Sequence, residues 1–190
     1  MPLTLGSLTW LRAVDRPDLL APPTAATVAA WAETEPEVAD GVWVTEIDPD
    51  LADTAAMTEA YALPLAVSGN CVLVSGKREG TEKVAAAVVR ATTRADVNNA
   101  VKRLLDVRKA SFLPMDRAVE ESGMEYGGIT PLGLPAGYRV LVDARITEAD
   151  TDAGPVVIIG SGLRRSKVAL SGALLGRAPG IEVVEGLALA

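Results

Sequence analysis

The stretch Met124-Glu125-Tyr126-Gly127-Gly128-Ile129-Thr130-Pro131-Leu132-Gly133-Leu134-Pro135 decides how the chain is read. Two adjacent glycines permit positive φ and close backbone approach, and Pro131 pushes Thr130 towards an extended conformation. The segment therefore predicts a shaped turn with accessible peptide N–H groups. Just upstream, a helix is expected over Met115 to Ser122, started by Pro114 and stopped by Gly123. Just downstream, Arg139 to Asp143 and Pro155 to Ile159 have few polar positions and read as strands inside a sheet. The first delivers Asp143 at its end, and the second delivers the loop Gly160-Ser161-Gly162.

Further out, Asn70 to Val74 and Val84 to Arg90 predict a strand pair joined by the charged turn Lys77 to Gly80. Asp53 or Thr54 caps a helix through Tyr61 that Pro64 ends, and Val42 to Ile47 alternates as a strand does. Thr93-Arg94-Ala95-Asp96 reads as a capping box with Asp in place of Glu, ahead of Val97, Val101, Leu104 and Leu105 at helical spacing. A strand near Lys167 to Leu170, a short helix from Gly172 to Leu175 and an apolar tail from Ile181 to Val184 follow. Residues 1–40 mix Pro, Ala, Thr and acidic side chains, with a helix from Thr24 to Ala32 that Thr24 would cap. They are expected as an acidic N-terminal extension packed on a single domain of residues 41–190. The mixture of elements implies an α/β fold with a mixed sheet rather than regular βαβ winding.

Composition narrows the chemistry. The 190 residues contain no histidine and one cysteine, Cys71. Ser-His-Asp and Cys-His nucleophilic machinery, histidine acid/base catalysis and zinc sites built from His and Cys are excluded, and no disulfide can form within the chain. Cys71 lies in an apolar run and reads as a core residue, no Ser-x-x-Lys spacing exists, and Glu120-Glu121 reads as solvated charge on a helix. With seven aromatic residues the core must be aliphatic, and little material remains for stacking bases. The net charge of −7 is uneven, with 2 basic and 11 acidic residues in 1–68 against 16 and 14 in 69–190. Contact with nucleic acid would have to be weak and local, through Lys102, Arg103, Arg108, Lys109 or Arg164, Arg165, Lys167, which otherwise read as solvated surface. With no basic n-region and no apolar run of spanning length, a soluble cytoplasmic protein is expected.

The loop Gly160-Ser161-Gly162-Leu163-Arg164-Arg165-Ser166-Lys167 lacks the third glycine of a dinucleotide fingerprint and the Gly-Lys-Ser/Thr ending of a P-loop. It remains either a glycine turn whose N–H groups could receive an anion or carbonyl oxygen, or a plain turn between strands.

The order of the Val97 to Leu105 helix, Arg108-Lys109-Ala110-Ser111, the helix through Glu121, Gly123 to Gly133, Val140 to Asp143, and Ile158 to Gly162 followed by Arg164 resembles the YbaK/prolyl-tRNA synthetase-associated domain family over about residues 41–186. The resemblance implies a single α/β domain with a central mixed, barrel-like sheet flanked by helices. It implies an aminoacyl-tRNA deacylase in translation fidelity, a hydrolase cleaving the ester between a wrong amino acid and the terminal ribose, free-standing or attached to a synthetase. By the same resemblance Gly127, Gly128, Thr130 and Asp143 are catalytic, and Asn70, Ile129, Pro131, Gly160, Ser161 and Gly162 bind substrate, with no cofactor and no metal. The partners implied are the aminoacyl-tRNA acceptor end and an aminoacyl-tRNA synthetase, with no membrane. Ester hydrolysis passes through a tetrahedral oxyanion, which backbone donors stabilise by about 3 kcal/mol each. Where such proteins typically carry a lysine at the start of a strand, this chain has Asn70, and Lys77 is not taken as its substitute. The alternative reading is a catalytically impaired module of the same fold that keeps the pocket for binding.

Overall fold

The computed structural model describes residues 3–148 and 155–190. Among the described residues, twelve strands and seven α-helices are arranged as a mixed α/β structure with a curled, half-barrel sheet. The strands are β1 (Leu3–Leu5), β2 (Leu8–Arg12), β3 (Trp43–Glu46), β4 (Gly69–Arg78), β5 (Thr81–Arg90), β6 (Arg94–Ala95), β7 (Ala110–Phe112), β8 (Tyr138–Asp143), β9 (Val156–Gly160), β10 (Ser166–Ser171), β11 (Ile181–Val184) and β12 (Ala188–Leu189). The helices are α1 (Pro22–Thr34), α2 (Glu37–Gly41), α3 (Thr54–Ala60), α4 (Lys102–Leu105), α5 (Met115–Ser122), α6 (Ala144–Thr147) and α7 (Gly172–Leu175).

One five-stranded sheet has the order β1-β2-β3-β10-β9 and the other β11-β8-β5-β4-β7, while β6 and β12 form a separate pair. A bridge between Ser68 and Ile158 draws the start of β4 against β9, so the two sheets meet along a seam. β4 and β5 are antiparallel, whereas β5 and β8, and β8 and β11, are parallel. The mixed sheet is thus as expected, and the predicted strand pair is realised as a hairpin of two ten-residue strands.

The centre of the second sheet shows why its sequence is apolar without a break. On β5, Ala85, Ala87 and Val89 face one core with Leu141, Val101 and Leu105, while Val84, Ala86 and Val88 face the other side with Val140 and Val142. A strand covered on both faces has no position that prefers a polar side chain. The alanines also let neighbouring layers approach closely, consistent with an aliphatic core.

Several helix starts differ from expectation. α1 begins at Pro22, because proline fits the first turn of a helix where no N–H is needed, and Thr24 lies buried inside it without capping. The helix ahead of Leu105 is capped by Asp96, whose carboxylate accepts the Asn99 N–H, and its first turn, Val97–Val101, is a wide π-turn. Thr93 instead donates to the Arg90 carbonyl, and Arg94 and Ala95 pair with Leu189 and Ala188, so their backbone is committed to a ladder. α5 runs over the predicted residues and ends on Gly123.

The first forty residues, expected as an extension laid on the domain, supply two strands and two helices. Leu11 and Arg12 of β2 pair with Val44 and Trp43, and Trp10 is fully buried with Ile47, Met57 and Ala169. Among the described residues no helix is long and apolar enough to cross a membrane.

Candidate active site

The seam between the sheets opens into a cavity of about 290 Å³. Ser68 to Val72 form one wall from the start of β4, Ile158 to Gly160 another from the end of β9, and Lys167 enters from β10. Ala52 to Thr54 and Met57 close it from the α3 side, and Tyr126, Gly127 and Ile129 from the glycine turn.

The turn is built by backbone contacts. Gly127 sits at φ +80°, a conformation that a side chain would strain. The Gly128 N–H donates to the Glu125 carbonyl at 2.9 Å, which closes the turn, and the Gly128 carbonyl accepts the Gly162 N–H at 2.7 Å. Glu125 in turn donates its N–H to the Gly162 carbonyl at 2.8 Å. A Cβ on Gly160 would lie 2.3 Å from the Gly128 oxygen, and one on Gly128 would lie 2.6 Å from the Leu163 backbone. The glycines of the two loops are therefore contact residues for one another.

This geometry divides the ten predicted site residues. Asn70, Gly127, Ile129 and Gly160 line the cavity. Gly128 stands behind the turn, with its N–H already engaged. Thr130 and Pro131 are buried outside the lining, the Thr130 hydroxyl has no hydrogen-bond partner among the described residues and its N–H meets the Met124 Sδ at 3.4 Å. Ser161 is fully buried, and its hydroxyl holds the loop by bonding to Ser166 and the Leu163 carbonyl and accepting the Leu163 N–H. Gly162 packs towards Ala21 and Thr24.

Asp143 ends β8 away from this lining. Its carboxylate accepts the Arg145 guanidinium at 2.8 and 3.1 Å, the Arg145 N–H at 3.1 Å and the Ala188 N–H at 2.8 Å. Burial by itself would raise its pKa, but these hydrogen bonds together hold it below the usual carboxylate range. In this position Asp143 ties the chain end to β8 and starts α6.

Inside the cavity, Asn70 Oδ1 accepts the Thr54 hydroxyl at 2.8 Å. The residue the sequence reading placed on the surface is Lys167, which is 7% exposed. Its Nζ donates to the Ala52 carbonyl at 2.9 Å and the Gly127 carbonyl at 3.3 Å. Burial is the main influence on it and pushes the ammonium down to about 8, against the attraction of Asp53 and with the repulsion of Arg164. The signal for it was a lysine between Ser166 and the apolar run Val168 to Leu170, a charge inside a buried strand. Cys71 shares the wall, and burial pushes its thiol up to about 12, so it carries no thiolate at neutral pH. At the rim Tyr126 is exposed, and the Arg164 guanidinium lies 5.7 Å from its ring centre. Among the described residues no group of three or more Cys, Asp and Glu side chains is arranged to hold a metal ion.

A cleft with a buried cation, an amide and backbone N–H groups offers hydrogen-bond donors of the kind that a carbonyl oxygen could accept. The sequence pattern of the aminoacyl-tRNA editing domain matches residues 48–177, and the chain belongs to that family. Solved structures agree in fold. The hypothetical protein APE2540 superposes with a TM-score of 0.69 at 18% identity, over 86% of this chain and 99% of that one. A candidate trans-editing enzyme for prolyl-tRNA synthetase superposes with a TM-score of 0.68 at 18% identity, over 90% and 99%. No curated protein matches the sequence.

Proposed function

We propose that the protein is a deacylase that hydrolyses the ester of a mischarged tRNA, acting in trans. The observation that carries this reading is the convergence of Asn70, Gly127, Ile129, Gly160 and Lys167 on one cavity. The N–H groups of Gly127 and Ile129 both belong to cavity-lining residues and donate to no acceptor among the described residues. They are the donors for the oxyanion, whereas the Gly128 N–H already donates to the Glu125 carbonyl.

In the reaction, a water oxygen attacks the ester carbonyl carbon and the carbonyl oxygen becomes the oxyanion held by these donors. The C–O bond to the ribose then breaks, the ribose oxygen takes a proton, and the free amino acid and tRNA leave. No side-chain nucleophile is required, in keeping with a cavity whose thiol is protonated and whose Thr54 hydroxyl is held by Asn70. The exposed ring of Tyr126 at the rim offers a face to the terminal base, and Arg164 beside it offers charge to the backbone. This limited contact suits a chain of net charge −7.

The test is deacylation of a panel of mischarged tRNAs by the purified protein. Turnover of at least one above the buffer rate supports the reading, and no turnover of any overturns it in favour of a non-catalytic binding module. The uncharged Asn70 side chain is the observation that favours that second reading.

A further inference from the structure

We propose that Asp53 and Lys167 form a two-point anchor for an α-amino ester, with the Asp53 carboxylate receiving the α-ammonium and the Lys167 ammonium receiving the ester carbonyl. The inference rests on the deacylase reading of the cavity and adds the part of the substrate that is recognised.

Asp53 stands at the N-cap position of α3 with extended backbone, φ −68° and ψ 137°, yet its side chain makes no capping hydrogen bond. Elsewhere in the chain Asp48, Asp96, Asp143 and Ser171 occupy the same position and do cap, each accepting a backbone N–H. Capping is the usual use of an aspartate there. The Asp53 carboxylate is instead exposed on the cavity wall, with no hydrogen-bond partner among the described residues.

Lys167 is complementary to it. An ammonium has three N–H donors, and two are taken by the Ala52 and Gly127 carbonyls. The third has no acceptor among the described residues. Lys167 is the one cationic side chain among the described residues lining the cavity, and Arg164 acts on it from outside that lining. Asp53 attracts Lys167 without closing a salt bridge within 4.0 Å. The two opposite charges thus stay unpaired with each other in the lining of one cavity. In an α-amino ester the ammonium and the carbonyl oxygen are on adjacent carbons, so one small group presents a cation to Asp53 and an acceptor to Lys167. Charge-assisted hydrogen bonds of this kind are among the strongest available in a partly dry site. An acylated α-nitrogen has no charge to offer Asp53.

The experiment uses the full-length protein and a non-hydrolysable probe, 3′-deoxyadenosine with alanine joined through a 3′-amide, with its α-amino group either free or acetylated. Calorimetric titration is expected to show the free-amine form binding at least about tenfold more tightly. Asp53→Asn should abolish that preference. Lys167→Met should weaken both forms equally, and Lys167→Arg should restore most of the loss. Equal affinity for the two forms, binding of neither, or a preference that survives Asp53→Asn overturns the anchor even if the protein deacylates tRNA. A preference that depends on Asp53 in a protein with no turnover supports the anchor while removing the deacylase reading.

Discussion

The N–H of Gly162 donates to the carbonyl of Gly128 across 2.7 Å, joining the two glycine loops that lie 34 residues apart in the chain. This bond, with the one from Glu125 to Gly162, sets the end of β9 and the Gly127 turn side by side in the lining of one cavity. Close backbone approach is the condition for it, which makes the glycines testable.

Gly160→Ala is expected to lower stability by about 1–3 kcal/mol, the usual range for overpacking. The added Cβ would lie 2.3 Å from the Gly128 oxygen and 2.6 Å from the Ile129 oxygen, so the turn must move. Urea unfolding checks the stability, and loss of turnover at temperatures where the variant is still folded checks the displacement of the turn.

Deacylation should fall as pH rises through about 8, the value to which burial pushes the Lys167 ammonium. Above that pH the amine is neutral and no longer supports a developing oxyanion. Lys167→Arg should flatten this limb, because a guanidinium keeps its charge. Stability should move the other way. Between about 8 and the ordinary 10.5 the unfolded chain binds more protons than the folded one at this residue, so its contribution rises with pH. Rates corrected for buffer hydrolysis, from pH 6 to 9, provide the measurement.

Asp143→Ala should act on stability and not on chemistry. It removes the acceptor of the Ala188 N–H and of Arg145, at a cost of about 1–3 kcal/mol for groups left unpaired. Since the folded-state pKa of Asp143 is lowered, its contribution is present above the ordinary carboxylate value and is lost as pH falls through the lowered one. Thermal unfolding from pH 7 down to pH 3 should therefore show the variant and parent converging in acid, with unchanged turnover per folded molecule at pH 7.

Asn70→Lys is expected to reduce turnover rather than create it. The change breaks the Asn70 contact with Thr54 and adds a second ammonium to a cavity that already contains Lys167. Repulsion should push the Lys167 pKa lower still, moving the alkaline fall in activity to lower pH. A pH profile of the variant checks both effects, and a gain in activity over the parent would contradict the assignment of Lys167.

The sequence by itself determined the fold class, the extent of α5, the β4–β5 hairpin and the turn at Gly127. These depend on local properties: apolar runs, a proline before a helix, a glycine after it, and paired glycines. It also determined that histidine and activated cysteine take no part in the chemistry. Only the tertiary structure decided which residues share the cavity. Asp143 and Ser161 looked functional because each ends a strand or enters a glycine loop, yet hydrogen bonds to Arg145, Ala188, Leu163 and Ser166 engage them in holding the chain. Lys167 looked like surface because Arg164 and Arg165 precede it, and the pairing of β10 between β3 and β9 buries it across the seam from Asn70. A side chain's direction depends on strand register and on which sheets meet, and here those rest on contacts such as Lys167 with Thr45 and Ser68 with Ile158, 122 and 90 positions apart, beyond the reach of local pattern.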